Sequence, residues 1–331
     1  MSHRVWIATL VALVSAPAPG APLGRPAADD AGRGERADAR VPGEDVPVRR
    51  VSTTSARNGQ LAFSPDGESI AFVSNRDGSW QLYRMTSKGA DVRQLTHVEE
   101  PVGWPSWTSD GAEILFYAGS EHYRIHAVGV DGGPVDVLFD EGVHDLRPEI
   151  SPDGERILFD SVALDADGPW HQIWVMEADG SERRRLTTGR AYHSDARWAP
   201  DGEWIVYQSG EHGSPDDPLA IIEIRIMRAD GTGGRRVTWD GARNTYPTFS
   251  PDGTRIAFTK EHGDNADIWV VGVDGGEPRR MTFHPGVDTT PCWSPDGTRL
   301  YFSSSRGGES EDVFYLELDE DSERSRSTDG G

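Results

Sequence analysis

One stretch of the chain recurs six times at constant length, and this repeat constrains the fold more than anything else in the sequence. Each copy opens on a short apolar strand and closes 20 residues later on Asp-Gly. The copies begin at Val48, Val92, Val135, Arg183, Gly234 and Pro278 and need no gap to align. The closing aspartates are Asp66, Asp110, Asp153, Asp201, Asp252 and Asp296, spaced by 44, 43, 48, 51 and 44 residues. A fixed period of this length marks a repeat architecture in which each unit needs its neighbours to bury its apolar face.

The unit has a mechanical reading. Ser-Pro-Asp-Gly makes a tight turn: Pro presets φ, Asp bonds nearby backbone, and Gly takes a conformation that other residues resist. The strand entering the turn carries Phe63, Trp107, Ile150, Trp198, Phe249 or Trp293 three residues before the Asp. The strand leaving it is apolar or alternating (SIAFVS, EILFYA, RILFDS, WIVYQS, RIAFTK, RLYFSS), and a third strand follows (QLYRM through DVFYL). A second tight turn comes next, at Lys88-Gly89, Asp131-Gly132, Asp179-Gly180, Asp230-Gly231 and Asp274-Gly275. The fourth strand is the apolar start of the next copy. Four short antiparallel strands per unit of roughly 45 residues define a propeller blade. The sequence thus predicts an all-β, six-bladed β-propeller over residues 48–318, with four antiparallel strands per blade. The sixth unit lacks an outer strand, and the chain has a spare one at Val48–Ser52. That strand is expected to pair in the last blade and close the ring, which removes an open edge.

These repeats resemble the WD40-like Pro-Asp (PD40) repeats of TolB-like six-bladed propellers. Ser64-Pro65-Asp66-Gly67 and its copies at Ser151, Ser250 and Ser294 match in full. Thr108-Ser109-Asp110-Gly111 loses the Pro, and Ala199-Pro200-Asp201-Gly202 loses the Ser. The resemblance implies one of three uses: a free-standing binding module, the lid of a serine oligopeptidase, or a pectin-fragment lyase with a His-held metal in the funnel. TolB proper carries an α/β domain before its propeller, whereas only a linker-like stretch precedes Val48 here. The oligopeptidases need a Gly-x-Ser-x-Gly elbow, which the sequence lacks, and the residues after Asp319 are too few for a hydrolase domain.

The remaining segments read as processing signals and tails. Residues 1–20 join a basic start to the apolar run Val5–Val14 and a small-residue stretch, the pattern of an export signal. Ten apolar residues rise only about 15 Å as a helix, so a permanent membrane span is not expected. Residues 21–47 read as a disordered linker and 319–331 as a disordered acidic tail. Periplasmic or secreted localisation follows, with a monomer expected. The formal net charge is -22, which disfavours nucleic acid as a partner. The single Cys, Cys292, excludes an internal disulfide and a Cys-based zinc cluster.

Strand order puts the tight turns on one face of the disk and the variable loops on the other. Those loops are Leu164–Trp170, Gly210–Leu219, Lys260–Asp267 and Arg306–Asp312. Six to nine residues before each motif Asp, the innermost strand begins. Those columns hold Arg57, Asn58, Trp104, His144, Asp145, Arg147, His193, Asp195, Arg243, Asn244, Tyr246 and Asp288, a candidate binding funnel at the loop-rich mouth. The same Asp and Asn positions also suit local backbone capping. No cofactor is expected, although the acidic surface would suit Ca2+. Two functions stand: a non-enzymatic module binding a protein or peptide of the cell envelope, and a funnel-site enzyme, a metal-assisted lyase or hydrolase acting on a carbohydrate. In the second, His144, Asp145, His193, Asp195 and Asp288 supply the ligand types.

Overall fold

The computed structural model describes residues 47–52, 56–139, 144–165, 168–210, 221–308 and 310–318. The export-signal residues 1–20, all of the linker but Pro47, the tail, residues 166–167 and nearly all of the Gly210–Leu219 loop lie outside them, and on either side of 166–167 the expected loop is instead the end of two paired strands, Arg156–Asp165 and Gly168–Glu177. The described chain forms six four-stranded antiparallel sheets, each ordered from its inner strand outward. The inner strands are Asn58–Phe63, Val102–Trp107, Asp145–Ile150, His193–Trp198, Arg243–Phe249 and Asp288–Trp293. In five blades the four strands follow one another in sequence. In the sixth, the N-terminal strand Val48–Arg50 supplies the outer position, pairing Val48 with Leu316 and Arg50 with Phe314.

The turns form as their residues dictate. The Ser64 hydroxyl donates to Asp66 Oδ1 and accepts from the Ser69 amide at 2.9 Å, while the Glu68 amide donates to Asp66 Oδ1 at 2.9 Å. These donors hold the Asp66 carboxyl below its ordinary range. The motif glycines sit at φ between 69° and 77°, a region costly for a side chain. They also touch the preceding unit's turn: a Cβ on Gly67 would meet Pro295, on Gly111 Pro65, on Gly202 Pro152, on Gly253 Pro200 and on Gly297 Pro251. Each turn therefore seats on its neighbour, and the first unit seats on the last.

The apolar core lies between blades rather than within them. Leu82 and Val73 of the first blade pack with Trp107 and Phe116 of the second. The same pattern recurs at each later interface, and Phe72 and Tyr83 of the first blade pack with Tyr301 and Val313 of the sixth. Each sheet is thus apolar on both faces, which explains the near-continuous apolar runs of the second strands.

Candidate functional site

The inner strands converge on the central channel, and each carries the same irregularity. Register shifts fall between Gly59/Ala62, Gly103/Ser106, Leu146/Glu149, Ser194/Arg197, Thr245/Thr248 and Thr289/Cys292. At every bulge one non-glycine residue takes φ between 51° and 54°: Gln60, Trp104, Arg147, Asp195, Tyr246 and Thr290. Such φ costs on the order of 1 kcal/mol or more per residue and persists only where the surroundings impose it. At four of the six bulges the preceding blade supplies an acceptor that imposes it. The amide of Trp104 donates to Gln60 Oε1 at 2.9 Å, and that of Asp195 to Asp160 Oδ2 at 3.1 Å. The amide of Tyr246 donates to Gln208 Oε1 at 3.1 Å, and that of Thr290 to Thr259 Oγ1 at 3.2 Å.

The bulge side chains close the channel. Arg147 Nη1 donates to Asp160 Oδ2 at 3.0 Å, and its Nε lies 2.8 Å from Asp195 Oδ1. All three side chains are at most 3% exposed. The Arg147 guanidinium also stacks over Trp104 at 4.7 Å, and Trp104 reaches Tyr246 across the channel with ring centres 5.8 Å apart. One guanidinium thus serves two buried carboxyls. Burial pushes the Asp160 carboxyl up, with Arg147 opposing and Asp195 adding to the rise; burial raises Asp195 as well.

This arrangement predicts an unusual pH dependence. Folded Asp160 holds its proton to a pH well above 3.8, the ordinary value near which an unfolded aspartate releases it. The native state therefore binds more protons between those limits. This contribution to stability is fully present below that window and is lost as pH rises through it. Asp160→Asn keeps an oxygen for Arg147 Nη1 and the Asp195 amide but cannot ionise. Its stability relative to wild type should be higher at pH 8 than at pH 4 by on the order of 1–3 kcal/mol. Thermal unfolding of both chains at the two pH values checks this, and an unchanged difference would refute it.

The other sequence-selected residues sit nearer the loop face, in local pairs. Asp145 takes two bonds from Arg183, at 2.7 and 2.8 Å, and Asp288 takes Arg306 at 2.7 Å. Asn58 donates to Asp312 and to the Glu311 carbonyl, and Arg57 pairs with Glu311 at 3.0 Å. Asn244 donates to Asp240 at 2.9 Å, and Arg243 pairs with Glu261 at 3.4 Å. His144 lies 5.7 Å ring to ring from His122, and His193 sits edge-on to Tyr207. Burial pushes the His193 imidazole down to about 4 and lowers His144, so both are neutral at pH 7. The structure brings Trp104, Arg147, Asp195 and Tyr246 together, and leaves the rest in separate pairs within a blade or between adjacent blades. Among the described residues no three His, Cys, Asp or Glu side chains gather as metal ligands. The donor set weighed from the sequence for a metal does not assemble.

Beyond the plug, toward the tight-turn face, the channel widens into a cavity of about 290 Å³. Trp104, Asp195 and Tyr246 lie on its plug side, Phe63, Trp107, Phe249 and Trp293 form its aromatic walls, and Pro65 and Pro251 mark its turn-face rim. Glu149, Arg197 and Cys292 also line it. The sequence columns stopped at the bulge and missed these three, which stand two residues closer to the turn. The available signal was the residue four before each motif Asp, where one Glu and one Arg interrupt small side chains.

The comparisons agree with this architecture. Residues 43–167 match the TolB beta propeller domain (PD40), and residues 219–327 match the Tricorn protease N-terminal beta propeller domain. The uncharacterized peptidase YuxL of Bacillus subtilis is 30% identical over 168 residues, covering 50% of this chain and 23% of that protein. A TolB homolog of Chlorobium luteolum is 30% identical over 164 residues, covering 49% of this chain and 34% of that protein. The chain therefore spans well under two thirds of these relatives. TolB from Acinetobacter baumannii superposes with a TM-score of 0.59 at 20% identity, over 80% of this chain and 64% of that one. An oligogalacturonate lyase in complex with manganese also gives 0.59, at 17% identity, over 85% of this chain and 95% of that one. Repeats, ring and relatives converge on one conclusion: the chain is a TolB-like six-bladed β-propeller built from Pro-Asp repeats.

Proposed function

We propose that the chain is an exported, non-enzymatic binding module that holds a protein or peptide of the cell envelope. The observation that carries this reading is the division of labour in the channel. Arg147, Asp160, Asp195, Asp145 and Asp288 are tied into buried pairs, while a cavity with aromatic walls stays open toward the turn face. Aromatic walls with polar groups set among them are the usual make-up of a recognition site. Export is supported by the signal-like residues 1–20, and no helix among the described residues is long and apolar enough to cross a membrane. The TolB relatives support an envelope setting.

The test places a photoreactive phenylalanine at Phe63 on the cavity wall and expresses the chain with its own leader. The expected result is a chain outside the cytoplasm with one dominant covalent adduct to an envelope protein. Cytoplasmic retention, or no adduct above that of an outer-strand control position, would sink the reading. A stoichiometric transition metal in the purified chain, together with turnover of an oligosaccharide, would select the enzyme reading instead.

A further inference from the structure

The cavity wall carries a charged pair that spans two adjacent blades. Four residues before each motif Asp, the inner strands contribute Ala62, Ser106, Glu149, Arg197, Thr248 and Cys292 to the lining. Only Glu149 and Arg197 are charged, and they stand on adjacent blades. Glu149 Oε2 accepts from the Trp198 amide at 3.0 Å, which fixes the carboxyl in place. Its Oε1 lies 3.8 Å from Arg197 Nη1, beyond hydrogen-bond length. Among the described residues neither Glu149 Oε1 nor the Arg197 guanidinium makes a hydrogen bond. Both side chains are about a fifth to a quarter exposed, at 20% and 24%. A fixed acceptor and a forked donor thus face the same small cavity, paired in charge but each with hydrogen-bonding capacity left over.

We propose that this cavity binds a small zwitterion, an α-amino acid with an apolar side chain. Its carboxylate takes parallel N–H bonds from Arg197, its ammonium takes Glu149 Oε1, and its side chain lies against Phe63, Phe249 and Trp293. The arginine fork matches a carboxylate geometrically, which a lone cation site would not need. A ligand with one charge leaves the other member of the pair short of a bond in a largely desolvated place, and this penalty discriminates against it. The cavity, about 290 Å³, lies at the small end of ligand pockets of roughly 300–1,000 Å³, which favours a molecule of this size. The inference goes beyond the protein-binding reading and does not depend on it.

Ammonium binding needs ionised Glu149. Burial pushes that carboxyl up to about 7, while Arg197 and the Trp198 amide pull it down. The titratable and charged groups set around it are Arg197 of the next blade, which with the Trp198 amide favours the ionised form, Asp195, whose carboxyl lines the same cavity, and Cys292 from across the channel, whose thiol burial pushes up to about 11 and keeps neutral. Affinity for a zwitterion should therefore fall below pH 7, toward about tenfold per pH unit.

Calorimetric titration of the full chain at pH 8 with L-phenylalanine and L-leucine tests this, with phenethylamine and 3-phenylpropionate as single-charge probes. The expected result is saturable one-site binding of the amino acids, at least about tenfold weaker binding of both single-charge probes, and about tenfold weakening at pH 6. Glu149→Gln and Arg197→Gln should each weaken L-phenylalanine binding by about tenfold or more. The probe series uses the wild-type chain, so a variant that fails to fold does not blunt the test. No saturable heat from either amino acid, or equal affinity for single-charge probes, overturns the inference. Capture of an envelope protein by a chain that ignores amino acids overturns it too, and leaves the protein-binding reading standing.

Discussion

Arg147→Ala should cost about 3–5 kcal/mol of stability, the largest loss expected from any single substitution in the channel. The residue holds Asp160 and Asp195 and stacks on Trp104, with all three charged side chains at most 3% exposed. Truncation leaves two buried carboxyls with no cation between them, and their repulsion is unscreened by water. The variant escapes by protonating both, so the loss should shrink at low pH, where neither carboxyl need ionise. Denaturant unfolding at pH 7.5 and pH 4.5 measures both effects. A loss below about 1 kcal/mol at pH 7.5 would show that the triad contributes little. A companion change separates pairing from packing. Arg147→Met in an Asp160→Asn, Asp195→Asn background removes every charge while keeping most of the volume, and should recover most of the stability lost by Arg147→Ala, as buried ion pairs replaced as a unit usually do.

The same triad shows what the sequence disclosed and what it withheld. The blades were legible because turn chemistry and strand period both repeat: Ser64 to Ser69 could hardly form anything but the turn observed, and SIAFVS is a buried strand by composition. The spare strand at Val48 was legible because an unpaired edge demands a partner. The bulges were not. Nothing in Trp104, Tyr246 or Thr290 favours φ near 50°; the preceding blade's acceptor imposes it, and that acceptor lies between 31 and 44 residues away in sequence. Because the bulge redirects each inner strand, the column six before the motif Asp put Asp195 and Tyr246 on the cavity, while the column eight before it put Asp145, Asn244 and Asp288 into local pairs on the loop side. The polar density of those columns was visible; its division into a plug, a cavity and capping pairs depends on long-range contacts that no local pattern encodes.

A chain that begins at Arg57, without the N-terminal strand, should melt about 10 °C or more below the full chain and self-associate. The lost strand contributes its ladder to the last blade and the Val51 amide bond to the Val313 carbonyl at 2.8 Å. It also supplies two partners of the fully buried Asp312 carboxyl: the Arg50 guanidinium, and the Ser52 hydroxyl at 3.1 Å. Among the described residues Asn58, at 3.3 Å, then remains as the hydrogen-bond donor from the first blade, so a buried charge becomes under-satisfied while the Asp312–Glu317 strand turns into an open edge. Together these losses amount to about 4–6 kcal/mol, and about 2–4 °C per kcal/mol in a domain of this size gives the expected shift. Association should rise with concentration, since the exposed ladder offers backbone groups to a second chain. A synthetic peptide covering residues 47–56 should restore part of the melting temperature and suppress association when added in excess, because it supplies the missing ladder in trans. A truncated chain that melts within about 2 °C of the full one and stays monomeric would mean that the interlocked turns, with Gly67 seated on Pro295, hold the first and last blades together without the strand.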